Sequence, residues 1–296
     1  MNGQNYYNKS YWENIDTDYL NYKKKVLKLL GILGIDTRYI SYASNTIYIN
    51  NIRFAKFSKK REKTFKKYFP EIAIVRSTIF QKICSRASKI FADKLNPKDN
   101  ILLLKPQNRI DELLRIVLEP YSRKYGIAIF ESNFLSLDEA ISVLNEDISK
   151  NKKKDINSIT SSLTLNEEVE SILSAIFSGK GIKKDKIEDD NIEIIYPFIN
   201  VSNEWISLFF DNFPNNKYKE NSHELLNNNL NEYKYELKNN NYKENNYKLK
   251  ENSYILNDEN DSDKIAISFM NFLDDIVPQY KENILKSAIF IKNDTA

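Results

Sequence analysis

The stretch ILLLKPQNRIDELLRIVL, residues 101–118, constrains the fold more than any other. Its opening ILLL is an apolar run without polar alternation, the pattern of a strand covered on both faces. The remainder brings Leu113, Leu114, Val117, Leu118 and Tyr121 to one side of a helix. A strand feeding an amphipathic helix begins a βαβ unit, and GIAIFES (126–132) supplies its second strand. The rhythm then repeats. SLDEAISVLNEDI (136–148) opens with the capping box Ser136–Glu139, and INSIT (156–160) reads as a strand. TLNEEVESILSAIFSGKG (164–181) opens with a second box, Thr164–Glu167, and closes on Gly179 and Gly181. IEIIYPFINV (192–201) reads as a strand, and SNEWISLFF begins a short helix. The expected class is α/β, a parallel sheet with helices on both faces.

The front of the chain has another texture. A helix is expected over 17–31, then two β-like runs, RYISY (38–42) and TIYINNIRFAKF (46–57), around the turn Ser44-Asn45. SKKREKTFKKYF (58–69) reads as a basic helix ended by Pro70, with Phe65 and Phe69 turned to the core. A further helix over 76–95 places Phe80, Ile83, Cys84, Ala87, Ile90 and Phe91 on one stripe. This predicts a small basic α+β module at 1–70 and an α/β domain built from 71–213 and 263–296. Between them, 214–262 is rich in asparagine and repeats the words YKEN and LKEN. So little apolar surface predicts a flexible insertion. Residues 263–291 read as a helix carrying Phe269, Leu273 and Ile276, disturbed at Pro278.

Charge is unevenly spread. The formal net charge is +3, yet residues 1–99 hold 20 Lys and Arg against 8 Asp and Glu, a net of +12. The rest of the chain is therefore at −9. The densest run is RFAKFSKKREKTFKK, with eight basic residues against Glu62. On a helix Lys59, Lys60, Lys63, Lys66 and Lys67 share one side, and Arg53 and Lys56 lie just before them. A one-sided basic stripe beside strands bearing Tyr39, Tyr42 and Tyr48 suits a module that grips RNA phosphates. A solvated charged face is the alternative.

Several functions are disfavoured. The single cysteine, Cys84, forms no internal disulfide and no cysteine-built zinc or iron–sulfur site, and it falls on an apolar stripe. The single histidine, His223, lies in a polar tract, which leaves no His-based triad or metal cluster. No run approaches a membrane span, and MNGQNYYNKSYWEN lacks a charged-then-apolar leader. A soluble, cytoplasmic protein without a membrane partner is expected.

Four segments, in order and spacing, resemble the PP-loop ATP pyrophosphatases, in particular the tRNA 2-thiolation group. ILLLKPQNRIDELL occupies the place of that family's strand, SGGKDS-type loop and helix. SLTLNEEVESILSAIFSGKG is similar to its GHNLDDEVE motif and following helix. IIYPFINVSNEWISLFF and FMNFLDDIVPQYKENILKSAIF resemble the later strand–helix and closing-helix segments, and RSTIFQKICSRASKIFADKLNP the element before the first strand. The resemblance covers about 76–213 and 263–291. It implies a doubly wound, Rossmann-like, parallel five-stranded sheet and a crevice at the carboxyl ends of the strands, with ATP, and Mg if ATP binds, held near Lys105, Gln107, Asn108, Arg109, Ser161 and Ser162. It also implies tRNA as a partner, with an active thiolation enzyme or a sulfur-carrier protein beside it.

The departures are physical. Pro106 removes a backbone donor and fixes its φ, Gln107 adds a side chain where glycine gives close approach, and Asn108 replaces the loop lysine. The family's catalytic cysteines have no counterpart. The turn therefore reads as a decayed nucleotide site or as an ordinary strand–helix turn capped by Asn108. The expectation is a non-catalytic or weakly active, tRNA-binding pseudoenzyme with no catalytic residue to assign. The alternatives are an active ATP-dependent enzyme that adenylates a tRNA base and transfers sulfur, and a protein-binding scaffold without RNA.

Overall fold

The computed structural model describes residues 7–8, 17–149, 156–182, 192–211 and 259–294. His223 and the asparagine-rich tract up to residue 258 lie outside the described residues. The chain opens with β1 (Tyr7–Asn8) and α1 (Thr17–Ile32). A hairpin of β2 (Ile40–Ala43) and β3 (Thr46–Ile49) follows, in register from Ile40↔Ile49 to Ala43↔Thr46. Its turn is Ser44-Asn45, at φ 47° and 54°. Two successive positive φ values are what a two-residue type I′ hairpin requires, and asparagine tolerates them best after glycine.

The β-like run expected over 46–57 is corrected here: the strand stops at Ile49. Asn51 caps α2 (Ile52–Ala55) by accepting from the Phe54 N–H, and Lys56 reverses the chain at φ 53°. A cap that satisfies a helix N–H has outweighed the β-favouring composition of IRF. Ser58 caps α3 (Lys59–Lys66). Then β4 (Ala73–Val75), too short to read from sequence, pairs parallel to β3 and completes a sheet of order β2-β3-β4. The small sheet thus takes a strand from beyond residue 70.

The α/β half follows with α4 (Thr78–Lys94), β5 (Asn100–Leu103), α5 (Arg109–Leu118), α6 (Tyr121–Lys124) and β6 (Ala128–Ser132). After these come α7 (Leu137–Ser149), β7 (Ser158–Thr160), α8 (Leu165–Phe177), β8 (Glu193–Ile195) and α9 (Asn203–Asp211). Strands β5–β8 are parallel in the order β6-β5-β7-β8, and β1 lies antiparallel on the outer edge of β6. The expected five parallel strands are corrected to four parallel strands with a two-residue antiparallel edge. The strand expected over 192–201 shrinks to three residues. Pro197 offers no ladder N–H, and turn bonds from Ile199 to Tyr196 and from Val201 to Phe198 take over.

Helices cover both faces of the parallel strands. Ile101 and Leu103 pack toward α4, α5 and α9, whereas Leu102, Phe130 and Ile159 pack toward α7. That is why the run ILL has no polar alternation. The C-terminal helix expected over 263–291 is two helices, α10 (Glu259–Ile276) and α11 (Tyr280–Asp294), broken around Pro278 with Gln279 at φ 61°. They pack on α8 through Ala266, Met270, Leu285 and Ala288, and the buried Lys281 ammonium joins Glu204 of α9 to Asp274 of α10.

The small sheet is buried on both faces. Ile40, Tyr42, Ile47 and Ile49 face α1 and α3, while Tyr48 and Val75 enter the core of α4, α5 and α9. Charge fastens the same joint. The Glu119 side chain, 5% exposed, takes Lys23 of α1 at 2.6 Å and Arg123 of α6 at 2.5 Å. Its other oxygen accepts the Tyr42 N–H at 3.3 Å, and Arg123 donates onward to the carbonyls of Thr37 and Ile40. No helix among the described residues is long and apolar enough to cross a membrane.

Candidate nucleic-acid interface and phosphate turn

The turn between β5 and α5 lies in the middle of the sheet, where the neighbours β6 and β7 pair on opposite sides of β5. In a parallel α/β sheet such a reversal opens a crevice at the carboxyl ends. Here that position is filled by the chain itself. Asn108 is the N-cap of α5, its Oδ1 accepting from the N–H groups of Ile110 (2.8 Å) and Asp111 (3.0 Å). Asp111 completes the box in reverse, its Oδ2 accepting from the N–H groups of Gln107 (2.8 Å) and Asn108 (3.2 Å). The other Asp111 oxygen accepts the Ser162 hydroxyl from the loop after β7. A carboxylate therefore sits against the turn amides in the place where a bound phosphate would sit.

The other residues of the turn serve neighbouring loops. Gln107 donates its side-chain amide to the Leu135 carbonyl. The Lys105 N–H donates to Phe134 O at 3.0 Å, and its side chain is exposed. Arg109 lays its guanidinium 5.5 Å from the centroid of Phe210. Ser161 donates its N–H to Ile195 O at 3.0 Å. The fold thus gathers Gln107, Asn108 and Ser162 around one carboxylate, and directs Lys105, Arg109 and Ser161 elsewhere. With the N–H groups of 107, 108, 110 and 111 engaged internally, these residues do not fit a triphosphate. Asp111 was missed in the sequence, although its spacing three residues after Asn108 is a capping-box signal.

Thr164 and Glu167 likewise cap α8 reciprocally, the Glu167 carboxylate taking the Thr164 N–H at 2.8 Å and its hydroxyl at 2.9 Å. Cys84 is buried beside Phe80 and Ile83, and burial pushes its thiol well above the ordinary range. Among the described residues no group of three or more His, Cys, Asp or Glu side chains is placed to hold a metal ion.

The basic face is better formed. Arg53, Lys56, Lys59, Lys60, Lys63 and Lys67 are exposed, while Phe65 anchors the opposite side of α3 in the core. Glu62, the one carboxylate of α3, is bound to Arg76 at 2.7 Å. Lys66 leaves the stripe: its ammonium turns inward to the carbonyls of Pro70 (3.0 Å) and Ile72. Arg61 also turns back, onto Lys56 O. Of the three tyrosines expected on strands, Tyr42 and Tyr48 are core residues, whereas Tyr39 ends the 3-10 turn before β2, is half-buried and packs against Phe54. No protein-family model, curated protein or solved structure matches this chain.

Proposed function

We propose that this protein is a non-catalytic RNA-binding member of a PP-loop-like α/β class, and that it binds tRNA through the α2–α3 face. The observation that carries the reading is the exposure of Arg53, Lys56, Lys59, Lys60, Lys63 and Lys67 along α2 and α3 while Glu62, the one carboxylate of α3, is held by Arg76. Such a face keeps a net positive field for a phosphate backbone. The PP-loop-like assignment draws on the central strand–turn–helix at β5–α5, the serine loop beside it and the β6-β5-β7-β8 order. On this reading the sheet descends from a doubly wound, five-stranded nucleotide fold. Its ATP and Mg chemistry is lost because Asp111 occupies the anion position, and sulfur transfer to the tRNA falls to an active partner enzyme.

Bulk tRNA and ATP binding by the purified chain at two salt concentrations tests both halves of the proposal. Expected are tRNA binding that weakens steeply with salt and no ATP binding. Reversing Lys59, Lys63 and Lys67 to Glu should weaken tRNA binding and reduce the log–log salt slope by about 0.7–1 for each phosphate no longer neutralised. Unaltered tRNA binding in that variant would remove the lysine face from the account, and ATP-dependent release of pyrophosphate would restore the enzyme reading.

A further inference from the structure

We infer that the Phe54 ring, backed by Tyr39 and flanked in sequence by Arg53 and Lys56, is a stacking platform for an unpaired nucleobase. The inference rests on the RNA reading of the α2–α3 face and specifies its ligand: a nucleic acid that is single-stranded where it crosses α2.

The platform is held in place from beneath. The Tyr39 carbonyl accepts the N–H of Asn50 at 3.0 Å, and the Asn51 side chain accepts that of Phe54 at 3.1 Å, so the backbone around the ring is fixed. One side of Phe54 leans on Tyr39, centroids 5.1 Å apart at 31°, and 49% of the residue remains in solvent. A lone exposed phenylalanine would be unremarkable on any surface. This one carries the Arg53 guanidinium 5.9 Å from its centroid, while Lys124 from α6, nearer Tyr121 (5.1 Å) and Tyr125 (5.2 Å), lies 5.9 Å from the centroid of Tyr39 behind it. Lys56 is exposed two residues on, and the lysines of α3 begin at Lys59.

An aromatic pair whose outer ring, Phe54, is half in solvent, with Arg53 beside it and a lysine track leading away, matches the needs of a single strand. The bases require a π-face, and the phosphates on either side require positive charge. A duplex keeps its bases stacked internally and offers this ring nothing. Stacking releases no counterions, so its share of the affinity is insensitive to salt, in contrast to that of the lysines.

The test uses the full chain with two probes, a short unstructured single-stranded RNA and the duplex of that RNA with its complement, at two salt concentrations. Phe54→Ala should lose about 5- to 150-fold in affinity for the single strand, with an unchanged salt slope and unchanged duplex affinity. Phe54→Leu, which keeps apolar bulk and loses the π-face, should fall as far, and Phe54→Trp should retain binding. Wild-type affinity in Phe54→Ala or Phe54→Leu would overturn the platform, as would an equal loss on both probes. If the Lys59, Lys63 and Lys67 reversal flattens the salt slope while the Phe54 variants do nothing, only this inference fails. If the wild-type chain binds neither probe, the RNA reading fails with it.

Discussion

Asp111 accepts from two N–H groups of the β5–α5 turn and from Ser162, a residue 51 positions away on the loop after β7. Half of that arrangement was legible. Asn108 followed by Asp111 is the spacing of a capping box, and the box forms. The Ser162 bond was not legible, because only the parallel pairing of β5 with β7 brings the two loops together. The same carboxylate links stability to anion binding. Asp111→Ala should destabilise the fold by about 1 kcal/mol, read as a lower urea midpoint at unchanged m-value. It also frees the N–H groups of Gln107 and Asn108. Should that variant gain measurable affinity for inorganic phosphate, the carboxylate is confirmed as the group that closes the turn to anions.

The secondary elements follow local chemistry closely where a cap or turn governs and drift from it where only composition does. Ser44-Asn45, Asn51, Ser58, Ser77, Asn108 and Thr164 each start or turn an element. The stretches 46–57 and 192–201 have β-favouring composition, yet the Asn51 cap and Pro197 end their strands early. Helix α3 shows a limit of periodicity. Lys66 shares the angular position of Lys59 and Lys63, yet it bonds the carbonyls of Pro70 and Ile72, closing the loop into β4. Lys66→Met should therefore cost about 1–3 kcal/mol by leaving the Ile72 carbonyl unmet, whereas Lys63→Met should stay within about 0.5 kcal/mol of the parent. Urea unfolding of the two variants side by side measures the difference.

Across the whole molecule, the decisive feature is the joint between the small sheet and the α/β half. Burial pushes the Glu119 carboxyl upward, and the hydrogen bonds and charges of Arg123 and Lys23 outweigh it, so the group lies below its ordinary range. A carboxyl lowered on folding contributes stability in full above its unfolded value of about 4.3 and loses it as pH falls through the folded value. Glu131 has the opposite sign, since burial raises it despite Arg115; its share fades as pH rises above about 4.3. Unfolding free energy is thus expected to drop below about pH 4, and Glu119→Gln should flatten that drop. The same variant should lower neutral-pH stability by about 3 kcal/mol, because Lys23 and Arg123 stay buried against a neutral partner. Urea titrations from acid to neutral pH check both. By itself the sequence determined the α/β class, the caps, the hairpin turn and the charge imbalance, because each depends on residues within a few positions of one another. Tertiary structure alone decided that Asp111 meets Ser162, that Lys66 leaves the lysine stripe and that Glu119 locks the two halves. Those outcomes depend on which strands pair and which faces are buried, and local residue patterns do not specify distant partners.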